Sequence, residues 1–107
     1  MIARIWHGTT RAAHYDEYLD FLRARAIPDY RGVEGNRGVY IMRRLEGERA
    51  HFLLLTYWDS REVIARFAGV DIDKAKYYPE DQAFLLEFEP FVTHYEVAAA
   101  VAPGPGA

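Results

Sequence analysis

The chain has 107 residues, a formal net charge of −3 and no cysteine. One domain suits that length, and with half the residues apolar and 15% aromatic it can build a core unaided. The missing cysteine excludes a disulfide scaffold, a thiolate nucleophile, an iron–sulfur cluster and a cysteine-ligated zinc. The mild negative charge speaks against binding nucleic acid through its phosphates.

No apolar run reaches the ~18 residues a membrane span needs. Met1 to Trp6 lacks the charged start and long apolar stretch of a signal peptide. The expectation is a cytoplasmic domain with no membrane and no nucleic-acid partner.

Ile2, Ile5 and Trp6 suit a first strand over 2–7, which Gly8 should break. Thr9 or Thr10 can then cap a helix. Tyr15, Tyr18, Leu19, Leu22 and Ala26 share one face of that helix, with acids early and bases late, as the helix dipole prefers. Pro28 should end or kink it.

A Gly-rich connection over 32–38 leads to two strand-like runs, Val39–Glu46 and Ala50–Trp58, around Glu46-Gly47-Glu48, a hairpin signal. The second run, His51 to Trp58, is apolar on both faces. Helices of this chain can cover one face, and a second subunit is the simplest cover for the other.

Asp59-Ser60-Arg61-Glu62 reads as a helix start. Val63, Ile64 and Phe67 give that helix its apolar face, and Gly69 can close it. Residues 71–86 read as irregular or short-helical, centred on Tyr77-Tyr78-Pro79-Glu80-Asp81, where Glu80 and Asp81 suit turn caps. A last strand is expected from about Phe91 to Val97. The Ala/Pro/Gly stretch over 99–107 reads as a tail to a single domain over 1–98.

The order β-α-β-β-α-β predicts an α+β, ferredoxin-like split sheet with both helices on one face and the first strand between the third and fourth. That layout also serves RNA-binding modules, metal chaperones and regulatory domains. The basic-Gly-aromatic signature of RNA binding finds only a faint echo in Arg37-Gly38-Val39-Tyr40, on the second strand rather than the third.

An apolar strand ending in Thr56-Tyr57-Trp58, followed by Asp59-Ser60-Arg61-Glu62, resembles the antibiotic biosynthesis monooxygenase family. The Gly-rich Val33 to Gly38 before the second strand fits it too. The resemblance implies a homodimer whose sheets pack face to face, the dimeric α+β barrel. It also implies a small-molecule pocket between each sheet and its helices.

It further implies oxidation of a small aromatic or quinone-like compound without a metal or flavin, the deprotonated substrate supplying the electrons. One branch of the family degrades heme with a first-strand Asn, a Trp ending the third strand and a His in the helical region beyond. Here Trp58 matches the Trp, His7 stands at or beside the Asn position, and no His lies between Trp58 and His94. Heme degradation is therefore not expected.

The resemblance assigns Trp58 to substrate stacking. Tyr77, Tyr78 and Phe67 become candidate pocket walls, and His7 a base or hydrogen-bond partner, because imidazole titrates near neutral pH. The structural alternatives are core packing for Trp58, a satisfied histidine at His7, and plugs at the sheet end for the two tyrosines.

His51 can neighbour His7 across the sheet; a pair of neutral imidazoles invites a metal, but without a third ligand at suitable spacing the signal is weak. His94 and Glu96 share a strand face without a metal motif around them, and no phosphate loop or dinucleotide fingerprint is present. The expected cofactor set is none. A non-catalytic small-molecule-binding or stress-response dimer, and a lyase or isomerase of the same superfamily, stand as alternatives.

Overall fold

Burial alternates strictly along the third strand: Ala50, Phe52, Leu54, Thr56 and Trp58 are sealed, while His51, Leu53, Leu55 and Tyr57 are half-exposed. That period of two divides the molecule into a helix-covered face and an open one. The computed structural model describes residues 1–101. Strands β1 (Ile2–Arg11), β2 (Asn36–Glu46), β3 (Arg49–Trp58) and β4 (Thr93–Glu96) form one antiparallel sheet in the order β2-β3-β1-β4. The first strand lies between the third and fourth, and the fold is the expected α+β ferredoxin-like one. Of the tail expected at 99–107, residues 102–107 lie outside the described residues.

The helical layer comprises α1 (Tyr15–Phe21), a π turn (Leu22–Ala26), α2 (Ile27–Arg31) and α3 (Arg61–Ala68). Tyr18, Leu22, Ala26, Tyr30, Ile64 and Phe67 seat this layer on Trp6, Phe52, Leu54 and Trp58. Val39 and Ile41 of β2 pack against the same core.

Three local expectations are corrected. β1 does not stop at Gly8 but pairs with β3 all the way from Ile2↔Trp58 to Arg11↔Arg49, so Thr9 and Thr10 are strand residues and cap nothing. Gly8 serves close packing instead, since a Cβ there would meet the Trp6 ring at 2.3 Å.

The helix also runs past Pro28 to Arg31. A proline lacks an N–H and crowds the carbonyl four residues back. The chain widens just before it into a π turn, in which Ile27 N–H reaches back to Leu22 O, and so absorbs the misfit.

The cap of α3 is Ser60 rather than Asp59. Ser60 Oγ accepts from Val63 N–H at 3.2 Å, which leaves Asp59 to pair with Arg37. Gly69 closes α3 with φ 91°, as expected. The hairpin turns through Gly47 at φ 59°, between the paired Glu46 and Arg49. β4 is shorter than the run expected from Phe91, because Phe91 instead bridges to Lys74.

Candidate functional site

The sheet separates the candidate residues. Arg4, Trp6 and Gly8 pair with Thr56, Leu54 and Phe52 toward the helices, whereas His7 pairs with Leu53 on the open face. His7 and Trp58 therefore do not share a site. Phe67 and Tyr78 lie with Trp58 on the helix side. Tyr77 sits at the sheet margin, edge-on to Trp6 at 6.0 Å, with its hydroxyl donating to Glu89 O.

On the helix side the rings form a continuous layer. Tyr30 stacks on Phe67 at 4.5 Å, and Trp58 lies 5.6 Å from Phe67 and 6.2 Å from Tyr30. Trp58 is fully buried, and its indole N–H donates to Thr56 Oγ1 at 2.8 Å.

Beside this layer is a hollow of about 10 Å³, walled among others by Trp6, Tyr18, Leu22, Tyr78 and Asp81. It admits one water molecule at most. Three irregular features belong to its walls. Trp6 carries an indole N–H that is buried without a partner. The π turn supplies Leu22 and Ala26 to the wall. Asp81, 2% exposed, accepts from the Tyr18 hydroxyl at 2.8 Å and from Tyr78 N–H at 2.7 Å.

Burial raises the Asp81 carboxyl above its ordinary range, and those two hydrogen bonds only partly oppose it. Burial likewise pushes Tyr30 up to about 12, while the Tyr18 and Tyr78 hydroxyls are raised beyond any working pH. Asp81 is thus the most acidic group of this set. Lys76 closes the rim, its ammonium 4.2 Å above the Phe67 ring and donating to Phe67 O.

Farther along the same face, buried Arg4 donates to Ile72 O and Lys74 O and meets His94 Nε2 at 2.9 Å. His94 Nδ1 faces Asp73 at 3.2 Å. Since Arg4 is donor only, His94 accepts through Nε2 and carries its hydrogen on Nδ1. Burial first, and then the Arg4 charge, hold the imidazole below its usual range.

The open face carries a second constellation. His7 Nδ1 lies 2.5 Å from Glu89 Oε2, His7 Nε2 3.0 Å from His51 Nδ1, and His51 Nε2 2.9 Å from Glu46 Oε1. The chain Glu89–His7–His51–Glu46 borders a hollow of about 280 Å³ lined by His7, Met42, Arg43, Arg44, His51 and Leu53. The expected His7–His51 neighbourhood is present. Among the described residues no three or more metal-binding side chains converge on one point.

Of the aromatic residues expected as walls, Tyr78 lines the helix-side hollow while Trp58, Phe67 and Tyr77 do not; sequence reading did not single out Asp81, Trp6, Glu46 and Glu89 for these contacts. Asp81 caps its turn as expected, but its second oxygen takes the Tyr18 hydroxyl 63 positions away, which no local signal announces. Glu89 stands 82 positions from its imidazole partner.

No protein-family profile matches the chain, and no curated protein matches it in sequence. Solved structures do. A variant of the heme degrader MhuD with two manganese protoporphyrins per active site superposes with a TM-score of 0.62 at 18% identity, over 96% of this chain and 100% of that one. A candidate antibiotic biosynthesis monooxygenase from Bacillus cereus gives 0.62 at 13%, over 96% of each. MhuD from Mycobacterium tuberculosis with two hemes in its active site gives 0.58 at 17%, over 95% and 100%. Over nearly its whole length, then, this chain has the fold shared by an antibiotic biosynthesis monooxygenase candidate and by heme-degrading proteins.

Proposed function

We propose that this protein is a cytoplasmic, homodimeric monooxygenase that oxidises a small aromatic or quinone-like compound between its sheet and helices, without a bound cofactor. The observation that carries this reading is the meeting of an unpartnered Trp6 N–H, the buried Asp81 carboxyl and a π turn at one aromatic-walled hollow. An unsatisfied buried donor costs about 1–3 kcal/mol and calls for a reason; a substrate oxygen would satisfy it. π turns inside helices recur at functional sites.

In this reading Asp81 removes a proton from the acidic C–H or O–H of the bound compound, Trp6 N–H holds the resulting oxyanion, and Tyr78, Phe67 and Trp58 flank the ring. The anion gives electrons to O2. A methylene carbon loses two hydrogens and gains one oxygen atom, and the other oxygen atom leaves as water. Ligand pockets of several hundred Å³ are usual, so admission requires the segment bearing Lys76, Tyr77 and Tyr78 to move outward. His7, on the other face, takes no part in this chemistry. The homodimer would cover the apolar open face formed by Ile5, Met42, Leu53, Leu55 and Tyr57.

The test is oxygen uptake with a panel of anthrones and hydroquinones. Turnover with at least one compound is expected, with kcat reduced about 100-fold or more in Asp81→Asn. A wild type that consumes no oxygen with any of them leaves the binding-dimer reading standing. Hemin supplies the second arm. The one imidazole on the helix face, His94, has both ring nitrogens engaged, so no Soret shift is expected; a shift with loss of the heme band would favour the chemistry of MhuD.

A further inference from the structure

The open-face chain poses a question of hydrogen count. Glu89 and Glu46 are acceptors, and Glu46 also faces Arg44 at 3.4 Å. Each carboxylate takes the outer N–H of an imidazole, which fixes His7 with its hydrogen on Nδ1 and His51 with its hydrogen on Nε2. The two inner nitrogens, His7 Nε2 and His51 Nδ1, are then both lone pairs, and they face each other at 3.0 Å. Two lone pairs at that distance repel, so either one added proton or a metal ion lies between them.

From this arrangement we infer that His7 and His51 form a two-histidine site for a divalent transition metal ion such as zinc. Metal–nitrogen bonds of 2.0–2.1 Å at a tetrahedral angle place two ligand nitrogens about 3.3 Å apart, so the observed gap needs to open by only a few tenths of an ångström. The outer partners are those of a metal site: a ligating imidazole characteristically gives its other N–H to a carboxylate, which fixes the ring and strengthens it as a donor. Here both imidazoles have that support.

The scaffold is rigid, since His7 and His51 lie diagonally across the β1–β3 ladder, with His7↔Leu53 and Thr9↔His51 in register. The two remaining positions of a four-coordinate ion open to the 280 Å³ hollow that both rings line. Both arginines of the hollow face carboxylates, Arg44 at 3.4 Å from Glu46 and Arg43 at 2.8 Å from Asp16. The site lies across the sheet from the proposed substrate chamber and is independent of its chemistry, although Met42 and Leu53 of its hollow belong to the face that the proposed homodimer would cover.

Zinc titration of chelator-treated protein, followed by calorimetry and by the imidazole NMR signals, tests this. One saturating equivalent is expected, moving the ring signals of His7 and His51 and leaving those of His14 and His94. Affinity should fall as pH falls, because protons compete for the same lone pairs. His7→Ala and His51→Ala should each abolish binding, Glu89→Gln should weaken it 10–100-fold, and His14→Ala should not change it. No saturable uptake, uptake that survives His51→Ala, or NMR showing a shared proton that zinc does not displace would overturn the assignment.

Discussion

The two faces of the sheet are made by the same strands and differ only in which alternate residue each receives. On the helix side Trp58, Phe52 and Ile64 are wholly buried, and the hollow among Trp6, Tyr18 and Asp81 is about 10 Å³. On the open side Leu53, Leu55 and Tyr57 are half-covered, Tyr40 and Tyr95 are each 58% exposed, and the hollow is about 280 Å³. Space is therefore distributed unequally, but polar imbalance is found on both faces. The sealed face holds the unpartnered Trp6 N–H and the raised Asp81 carboxyl, while the roomy face holds the imidazole–carboxylate chain and the buried, unpartnered Thr9 hydroxyl.

The largest test of that contrast is a pair of truncations. Trp58→Ala removes a side chain with no exposure and should cost about 3–5 kcal/mol, read by urea unfolding. Leu55→Ala, three positions away on the open face, should cost the protomer about 1 kcal/mol or less, because much of its surface already meets water. If the proposed dimer covers that face, Leu55→Ala should instead weaken association in sedimentation. Equal losses in protomer stability would show that the open face is covered as completely as the other.

Next in size is Asp81→Ala. It strands the Tyr18 hydroxyl and Tyr78 N–H in a dry site, at about 2–4 kcal/mol. The pH dependence has a definite sign. A carboxyl raised in the native state binds its proton more readily there than in the unfolded chain, so wild-type stability declines as pH rises from about 4. The variant should lack that decline, and its deficit should be greater at pH 4.5 than at pH 7. Denaturant midpoints at the two values measure it.

Gly8→Ala comes after that. The added methyl would meet Trp6 Cη2 at 2.3 Å, and the indole must shift to admit it. Overpacking of this kind costs about 1–3 kcal/mol, and a changed Trp emission spectrum should accompany the loss. Because Trp6 N–H is the free donor of the proposed chamber, the same substitution should raise KM in any oxygenase assay more than it lowers kcat.

These sites also mark what was legible in the amino-acid order. The apolar run over 51–58, the Gly47 turn and the Asp59–Glu62 helix start each act over a few residues, so the sheet order could be read directly. Gly8 and Pro28 misled for one reason: both look like breakers locally, and tertiary circumstances override them. Gly8 is held in β1 by ten paired positions and makes room for an indole, while Pro28 is admitted by the π turn before it. Strand parity could have separated His7 from Trp58 in advance only with the β1–β3 register known, and that register depends on β1 continuing through Gly8. The candidate site suffered most, because its polar partners are distant in sequence: Asp81 with Tyr18, Glu89 with His7, and Arg4 with His94.

The smallest expected effect concerns His94, where the two regions can be compared by titration. Its imidazole is held below the ordinary range by burial and by Arg4, so protonation is easier in the unfolded chain. The stability that comes from keeping it neutral is present above about pH 6.5 and is lost as pH falls toward its native value. His94→Gln retains an acceptor for Arg4 and a donor for Asp73 but cannot titrate. Its stability difference from wild type should therefore change between pH 7.5 and pH 5.5, with wild type losing more on acidification. Should His94→Gln track wild type across that range, Arg4 would not be held against a neutral ring, and the hydrogen positions assigned to that buried group would have to be reversed.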